Sequence, residues 1–595
     1  MGKIFGIKVK KDDEEIGSNV AGKQEFEDVS KFYQMLSGTR TEYELSDDRN
    51  YTYWTLEFYD TKNGLRGGGG LGILAADTRR VAEQLGLQFT VITPFYLSQK
   101  HQAVDNFHQH EYEQELKPED FGYAEVGSTD IRMRGAPDAT IYIHQKRMGS
   151  TRIIGLSEPN FGLLYHGDGS GDHRLFQEVA LGFAGYRGLK LVGVKPAVMQ
   201  LNEVATIFSA VARLDELCAN GMNFYEALVY VRKHSLYTNH TLVQAAESAF
   251  TLEQFEGFVF PNLRSPAVRH WLAGFFHGKE RLKLSAIAIE MCEYKNGVSK
   301  LHARVADYHD INGEKVHFEA VTNGIDMDEW VLPEIMGLFK MNRVLTSVNS
   351  PNEDYLERVA NLSVQDFRML KKFGREQMNK ILADYKDQYG NPVNIPAECK
   401  VIEFKRRFTD YKRPWMPFED VERFKQILVD HNAHYVFSGR AHSGDAGMMH
   451  KLHELLAMID HDEVLKERVH YIVDYNEEIA KAMSFGADVS VNVPIVGFEA
   501  CGTSWEKDIA NLVVLISTAD GGVADIMPPS YYEVTGNTYQ DECESLYKNL
   551  KLALDACEND ELFEQIVKRQ LSAYLPTISG ARMMKDYLEL VFSKK

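Results

Sequence analysis

The segment VIEFKRRF (401–408) begins the part of the chain that decides the fold. It is a short apolar run that ends in cations, and four apolar runs of similar length follow it: HYVFSG (434–439), VHYIVDY (469–475), DVSVNVP (488–494) and LVVLIST (512–518). The stretches between them mix polar and apolar residues as helices do, over 418–431, 446–459 and 476–485. Because strands that alternate with helices form parallel, doubly wound sheets, this half is predicted to be α/β.

A second α/β half is predicted upstream of residue 323. A glycine-rich turn leads into the helix pattern of 71–86, and the short strand QFTVITP (88–94) follows. The remaining patterns are a helix over 173–193, a strand and helix over 197–214, helices over 224–257 and 282–310, and a strand over 315–321. We therefore expect an N-terminal domain over 1–322, a C-terminal domain over 323–575, and a final helix in 576–595 that packs back on the N-terminal domain.

The composition excludes several classes of function. The 595 residues include 66 Lys and Arg against 86 Asp and Glu, a formal net charge of −20, so there is no electrostatic basis for binding nucleic acid or an anionic membrane. No apolar stretch approaches the roughly 18 residues that span a bilayer, and no signal-peptide core is visible. The six cysteines form no CxxC pair, so no metal site and no disulfide framework is predicted. These features favour a cytoplasmic protein.

Three segments have the composition of anion or cofactor sites. The basic run Lys405–Arg413 directly follows a predicted buried strand, and its five cations suggest a phosphate pocket. Gly67–Gly70 opens a helix, where backbone N–H groups can approach an anion. Glu499–Lys507 places Gly, Thr and Ser at a helix start and a lysine just beyond, where it could bond a carbonyl cofactor. Taken singly, each segment has an ordinary alternative: a flexible loop, a solvated charge run or a surface lysine.

Taken in order, these segments resemble the α-glucan phosphorylase family, whose members act on glycogen, starch or maltodextrin and depend on pyridoxal phosphate. The matching motifs are GGGLGILAA (68–76), YTNHT (237–241), NGVSKLH (296–302), TNG (322–324), the basic residues 406–407 with YKR (411–413), EACGTSWEKDIAN (499–511) and DG (520–521). They cover about three quarters of the chain.

The resemblance implies a GT-B fold, in which two Rossmann-like domains face each other across a cleft. It implies that Lys507 holds pyridoxal 5′-phosphate covalently, and that the catalytic residues are Lys507, Arg407, Lys412 and His240. The implied cofactor-binding residues are Lys507, Gly69, Gly70, Arg406, Thr503, Ser504 and Tyr475. The implied sugar-binding residues are Leu71, Asn323, Glu499, Cys501 and Gly502, and no metal is implied.

The implied activity transfers a glucosyl unit from an α-glucan or related oligosaccharide to inorganic phosphate, which gives a sugar 1-phosphate. Members of the family are often homodimers, and the resemblance implies the same here. Two alternatives stay open. A nucleotide-sugar GT-B transferase resembling glycogen synthase would also use a basic pair, for a diphosphate, but would not need Lys507. A non-catalytic relative would bind sugar only.

Several residues depart from the family pattern. Cys501 replaces a serine, and Trp505 and Glu506 stand where the family has small or apolar residues before the lysine. The segment 201–205 lacks the family's histidine, and 522–525 lacks its bulky aromatic residues. Because the phosphate side is better matched than the glucan side, we expect an altered acceptor or a donor other than long glucan. No N-terminal regulatory segment is matched, so control by phosphorylation there is not expected.

Overall fold

The computed structural model describes residues 45–46, 48–59, 65, 69–164, 170–241 and 247–592. The chain divides into two compact units. Unit 1 comprises the described parts of Met1–Gln99, Glu115–Thr322 and Met583–Lys595, and unit 2 comprises Lys100–Gln114 and Asn323–Arg582. The sequence-based division differs in two details. It assigned the segment Lys100–Gln114 to the N-terminal domain, and it began the last segment at 576 rather than at Met583.

The first half of the chain supplies thirteen of the described strands: β1 (Arg49–Trp54), β2 (Phe89–Pro94), β3 (Ser98–Asp105), β4 (His108–Glu115), β5 (Ala124–Ile131), β6 (Ala139–Met148), β7 (Thr151–Ser157), β8 (Lys195–Asn202), β9 (Ser235–Asn239), β10 (Ala249–Thr251), β11 (Arg281–Lys283), β12 (Tyr294–Gly297) and β13 (Glu319–Ala320). Its described helices are α1 (Gly70–Gln84), α2 (Asp172–Leu191), α3 (Phe208–Ala219), α4 (Phe224–Lys233), α5 (Leu252–Gln254), α6 (Pro266–Gly274), α7 (Leu284–Met291) and α8 (Lys300–Val305).

Unit 1 is built around one large sheet in the order β13-β12-β9-β8-β1-β2-β7-β6-β5. The strands from β13 to β7 are parallel, and β6 and β5 continue the sheet in antiparallel fashion. The core includes the fully buried Trp54, Ile92, Ile154 and Phe208. The chain moves from β1 to β2 on one side and later places β8 on the other side of β1. The carboxyl ends of β1 and β8 therefore flank a topological switch point, the place where α/β sheets bind ligands.

The second half supplies the described strands β14 (Lys400–Lys405), β15 (Ala433–Ser438), β16 (Val469–Tyr471), β17 (Val489–Asn492), β18 (Val514–Ser517) and β19 (Tyr532–Glu533). Its described helices are α9 (Met327–Trp330), α10 (Pro333–Met341), α11 (Tyr355–Ala360), α12 (Val364–Leu382), α13 (Val421–Asp430), α14 (Ala446–Asp460), α15 (Glu463–Arg468), α16 (Glu477–Gly486), α17 (Ser504–Ala510), α18 (Tyr539–Glu558), α19 (Asp560–Ile578) and α20 (Gly580–Phe592).

Unit 2 contains a six-stranded sheet in the order β16-β15-β14-β17-β18-β19, with every neighbouring pair parallel. Numbered along the chain, this order is 3-2-1-4-5-6, which is the order of a doubly wound sheet. The prediction of an α/β protein with parallel sheets is confirmed. The switch point lies between β14 and β17, so the segments after Lys405 and after Asn492 meet at the edge where ligands bind.

The β3–β4 hairpin explains why Lys100–Gln114 belongs to unit 2. Its two-residue turn has positive φ angles at Asn106 and Phe107, 46° and 65°, as a tight hairpin turn requires. Gln102 N donates to Asp474 Oδ1 at 2.8 Å, and Asp474 N donates to Gln102 Oε1 at 2.9 Å. These two reciprocal bonds join the hairpin to the loop after β16, much as hydrogen bonds join neighbouring strands.

The predicted elements of the second half are confirmed, whereas several in the first half are wrong. The predicted helix over 282–310 contains β11, α7, β12 and α8, and the predicted helix over 224–257 ends at Lys233, before β9. The predicted strand over 315–321 is reduced to β13, and the patterns predicted neither β1 nor the β5–β7 ribbon. The strand β9 is buried at every position, so it lacks the alternation that distinguishes a strand from a buried helix.

Among the described helices, none is both long enough and apolar enough to cross a membrane.

Candidate active site

The carboxyl end of β14 brings Arg406 to the switch point of unit 2. Its backbone amide donates a 3.1 Å hydrogen bond to Ser438 O, and its side chain is 6% exposed. Within the described part of the chain, the Nη1 and Nη2 atoms of Arg406 have no hydrogen-bond partner. Gly439 allows the backbones to approach, because a Cβ there would lie 1.8 Å from Arg406 O. A buried guanidinium with unsatisfied donors is costly unless an anion meets it, so this is the geometry of an anion site.

The cations at the two ends of the basic run have other roles. Lys405 Nζ is buried in an ion cluster, 2.7 Å from Glu403 Oε1 and also paired with Asp508. Arg413 Nε donates to Val493 O at 2.7 Å and so links the run to the loop after β17. The expectation that all five cations line a phosphate pocket is therefore wrong for Lys405 and Arg413, which stabilise the fold around the pocket.

Lys412 and Glu499 form a charged pair at this edge of the sheet. Lys412 Nζ lies 2.6 Å from Glu499 Oε2, and both side chains are largely buried. Burial alone would raise the pKa of Glu499. The positive charges of Lys412, Arg406 and Arg407 outweigh burial and hold that pKa below its usual value. The carboxylate thus stays ionised at neutral pH and can accept hydrogen bonds from hydroxyl groups.

Asp520 braces the loop that carries Glu499. Its Oδ2 accepts from Phe498 N at 3.1 Å and Glu499 N at 2.8 Å, and its Oδ1 accepts from Gly521 N at 2.9 Å. Gly521 has a φ of 58°, and a Cβ there would lie 3.0 Å from Glu499 O. The Asp-Gly pair is therefore a positioning element for Glu499, a role that the motif alone did not reveal.

Asn323 meets the same loop from the start of unit 2. Its Nδ2 donates to Cys501 O at 3.1 Å, whereas its Oδ1 is buried and has no partner among the residues described. Gly502 lies close to Glu499, since a Cβ there would be 3.1 Å from the Glu499 carboxylate. The four predicted sugar-binding residues of unit 2 are thus brought together around one short loop.

Lys507 lies on α17, which follows this loop. Its side chain is 5% exposed, and Nζ lies 3.3 Å from the centre of the Trp330 ring. Asn511 fixes the helix, because its Nδ2 donates to Lys507 O at 2.8 Å and to Trp330 O at 2.9 Å. Its Oδ1 accepts from Leu332 N at 2.9 Å. The alternative of a surface lysine is therefore wrong: Lys507 is a buried amine on a firmly anchored turn.

The other predicted ligands of unit 2 differ in exposure. Thr503 and Ser504 are half-buried at the N-terminal end of α17, and Thr503 makes no side-chain capping bond. Tyr475 is half-buried and its hydroxyl donates to Lys405 O at 3.3 Å, while burial raises its pKa. Arg407 is exposed. Each of these residues lies shortly after the carboxyl end of a strand or at the start of a helix.

The structure accounts for the residues of the segment 499–511 that depart from the family pattern. Trp505 is a packing residue, 2% exposed, with its ring centre 5.3 Å from that of Tyr574. Cys501 and Glu506 contact each other, with the thiol donating to Glu506 Oε1 at 4.0 Å. Burial raises the pKa of Cys501, and the Glu506 charge adds to this effect, so the thiol stays protonated. Two residues that depart from the family pattern are therefore in contact with each other.

The glycine loop and its helix belong to unit 1. Gly69 precedes α1 in an extended conformation, and the first turn begins with Gly70, which is exposed, and Leu71, which is half-buried. The two glycines before Gly69 lie outside the described residues. Gly72 packs beneath the turn, because a Cβ there would lie 2.2 Å from the Tyr59 ring. The start of α1 contains no acidic residue, which leaves the positive end of the helix dipole available to an anion.

His240 follows β9 in unit 1. Its Nε2 lies 2.9 Å from Asn202 Oδ1, and Asn202 Nδ2 donates to Trp54 O at 2.9 Å. Because the amide nitrogen of Asn202 is already engaged, its oxygen faces the imidazole and Nε2 carries the proton. Burial, reinforced by His302, lowers the pKa of His240 to about 3. The ring is therefore neutral, with Nδ1 as an acceptor.

Glu203 is a site residue to which the motifs assigned no role. It directly follows β8 at the switch point of unit 1 and has φ 66° and ψ 159°, a conformation that is costly for a residue other than glycine. Its Oε1 accepts from His240 N at 2.7 Å. Burial raises the pKa of Glu203 to about 7, although the bond from His240 opposes the rise. In the sequence, only its position directly after a strand at the switch point could have indicated a role for Glu203.

Comparison with known proteins places this geometry in a family. The carbohydrate phosphorylase model matches residues 274–587. The chain belongs to the carbohydrate phosphorylase family. The match includes the TNG motif (322–324), the basic run and Lys507, so the described site of unit 2 lies within the part that defines the family.

Curated relatives of this phosphorylase support the same assignment. It is 27% identical to a maltodextrin phosphorylase of Thermococcus litoralis, over 88% of this chain and 68% of that protein. It is 26% identical to a glycogen phosphorylase of Aquifex aeolicus, over 71% of this chain and 66% of that protein. A glycogen phosphorylase of Mycobacterium tuberculosis is 25% identical, over 90% of this chain and 70% of the relative. The phosphorylase thus aligns with about two thirds of each relative's length.

Proposed function

We propose that this chain is a glycan phosphorylase, which transfers a glucosyl unit from an α-glucan or related oligosaccharide to inorganic phosphate and releases a sugar 1-phosphate. The family match and the names of the relatives support this activity. The proposal includes the GT-B arrangement of two Rossmann-like domains, a resident pyridoxal 5′-phosphate, and the predicted site residues.

The buried Arg406 guanidinium is the observation that carries the proposal. It lies at the carboxyl edge of a parallel sheet, and its two Nη donors are unsatisfied among the described residues. A phosphate group is the ligand that matches two adjacent, buried guanidinium donors. A buried lysine on the neighbouring helix, Lys507, supplies the amine that a carbonyl cofactor needs. The residues present therefore fit pyridoxal 5′-phosphate.

The residues that would hold the cofactor are Lys507 by a covalent bond and Arg406, Thr503 and Ser504 at its phosphate, with Tyr475 beside them. The glycines that begin α1, Gly69 and Gly70, would add backbone donors. When bound, the cofactor supplies a phosphate group that can exchange a proton with the substrate phosphate.

Arg407 and Lys412 would bind the substrate phosphate. Lys412 is already held 2.6 Å from Glu499, so an arriving phosphate shares this cation with the carboxylate. The lowered pKa of Glu499 keeps the carboxylate ionised. An ionised carboxylate orients sugar hydroxyl groups by accepting hydrogen bonds from them. Positive charge beside the substrate phosphate would stabilise the dianion that attacks the sugar.

The remaining sugar contacts would come from Asn323, whose Oδ1 has no partner among the described residues and can accept a hydrogen bond, and from the Cys501–Gly502 backbone. In unit 1 the neutral His240 offers Nδ1 to a hydroxyl group, because Nε2 donates to Asn202. Leu71 lies in the first turn of α1, where it would be near the anomeric carbon. A nucleotide-sugar transferase would have no use for the buried, anchored Lys507, so the phosphorylase is the better supported alternative.

The test is a phosphorolysis assay on protein reconstituted with pyridoxal 5′-phosphate, with maltoheptaose and inorganic phosphate as substrates and glucose 1-phosphate as the measured product. We expect product only when phosphate and the cofactor are both present. Lys507→Ala should abolish it, whereas Lys372→Ala, which alters an exposed lysine of α12, should retain wild-type activity. Product formation that does not depend on the cofactor would refute the proposal.

A further inference from the structure

The loop between β17 and Glu499 presents two apolar side chains to solvent. Val496 is 53% exposed and Phe498 is 49% exposed. They flank Gly497, whose φ of 93° gives the turn its shape. Exposed large apolar residues beside a site of charged and amide groups are characteristic of ligand pockets, which combine apolar walls with a few polar anchors.

This loop is held rigidly from both sides. Phe498 N donates to Ile495 O at 3.2 Å, which closes the turn, and Ile495 N donates to Tyr411 O at 2.7 Å. Asp520 Oδ2 accepts from Phe498 N at 3.1 Å. The backbone that carries Phe498 is therefore fixed in place, and a preorganised loop binds a ligand at a lower entropic cost.

The Phe498 ring is also oriented by an aromatic neighbour. Its centre lies 6.5 Å from that of Tyr411, with 25° between the planes. Lys412 Nζ lies 4.9 Å from the centre of the Tyr411 ring, on the segment that pairs with Glu499. Val496 and Phe498 form an apolar tip on this loop. The tip is thus continuous with the residues proposed to bind phosphate and sugar.

The size and chemistry of this tip favour a sugar ring as its ligand. Two exposed side chains offer far less apolar surface than a protein partner needs, but enough for one pyranose ring. The C–H groups on one face of a pyranose carry partial positive charge and match the negative face of an aromatic ring. Phe498 directly precedes Glu499, whose side chain is largely buried, and it is the more exposed of the two, so a ring that adjoins the transferred sugar on the solvent side can reach the tip.

We propose that Phe498, together with Val496, forms the platform for the sugar ring that follows the transferred glucosyl unit, and so determines the choice of acceptor. The proposal rests on the proposed function for the identity of the reaction. It gives the glucan side of the site an apolar contact in a chain whose segments 201–205 and 522–525 depart from the family pattern there.

The test compares steady-state phosphorolysis of maltoheptaose by wild type, Phe498→Ala and Phe498→Trp. We expect Phe498→Ala to raise KM for maltoheptaose about tenfold and to leave KM for phosphate and the cofactor content within about twofold. Phe498→Trp should restore a near-wild-type KM for the glucan. Tyr225→Ala, which removes an aromatic side chain that is 75% exposed on α4, should change neither KM.

An unchanged KM for maltoheptaose in Phe498→Ala would overturn the proposal, and so would equal rises in both KM values, since these indicate damage to the whole site. Calorimetric titration of maltoheptaose into wild type and Phe498→Ala separates this proposal from the proposed function. If wild type makes no glucose 1-phosphate but binds the glucan more tightly than the variant does, the proposed reaction fails and the platform stands. If the two proteins bind equally, the platform fails whatever the activity.

Discussion

Replacing Arg406 by methionine should stabilise the protein without its cofactor and abolish its response to the cofactor. In the described part of the chain, both Nη atoms of this buried side chain lack partners. Each unsatisfied buried donor costs about 1–3 kcal/mol, and the charge of Glu499 offsets part of this. We therefore expect Arg406→Met to raise the free energy of unfolding of the apoprotein by about 1–3 kcal/mol.

The preceding residue provides the matched control. Lys405 is as buried as Arg406, but its Nζ is paired with Glu403 and Asp508. Lys405→Met would leave two carboxylates buried without their cation, and breaking such a cluster costs about 3–5 kcal/mol. The two substitutions are adjacent and chemically similar, yet they should change stability in opposite directions.

Urea unfolding followed by circular dichroism, with and without pyridoxal 5′-phosphate, measures both effects. At a cofactor concentration 100 times its Kd, wild type should gain about 2.7 kcal/mol, and Arg406→Met should gain nearly nothing. If Arg406→Met destabilises the apoprotein as much as Lys405→Met does, Arg406 is not an unsatisfied buried cation. If the variant keeps the full stabilisation by the cofactor, Arg406 is not a cofactor ligand.

Three further substitutions test separate parts of the account. Lys412→Ala should raise KM for phosphate by about two orders of magnitude while the protein keeps its full cofactor content, and unchanged phosphate saturation would show that Lys412 is not a ligand. Gly439→Ala should lower the free energy of unfolding by about 1–3 kcal/mol, because its Cβ would lie 1.8 Å from Arg406 O; an unchanged melting temperature would contradict this. Burial lowers the pKa of His302 to about 4, so the unfolded chain binds the proton first and wild type loses stability as the pH falls from 6.5 towards 4. In urea titrations, His302→Gln should remove up to about 1.4 kcal/mol per pH unit of that loss. If the unfolding free energies of wild type and variant fall in parallel with pH, the lowered pKa of His302 is refuted.

The fold of the second half could be predicted because its strands and helices alternate with clear periods. The first half was harder, because strands such as β9 and β12 are short and almost wholly buried. Their sequences therefore lack alternation and merge with the neighbouring helices. The β3–β4 hairpin could not be assigned to unit 2 from the sequence, since its bonds to Asp474 link residues 372 positions apart.

The site was predictable where a motif matched and obscure where roles depend on distant contacts. The basic run was visible, but only the structure distinguishes Lys405 from Arg406. The partner of Lys405, Asp508, is 103 residues away, whereas the Nη atoms of Arg406 have no partner in the part of the chain that the structure describes. Glu203 was missed because its positive φ and its bond to His240 depend on the switch point of unit 1. The contact between Cys501 and Glu506 likewise depends on the turn into α17.

Lys507 is proposed to be the amine that holds the cofactor, and chemical trapping tests this most directly. The protein is reconstituted with pyridoxal 5′-phosphate, reduced with borohydride, digested and mapped by mass spectrometry. We expect a single stable adduct per chain, on the peptide that contains Lys507. An adduct on another lysine, or no stoichiometric adduct at all, would contradict it.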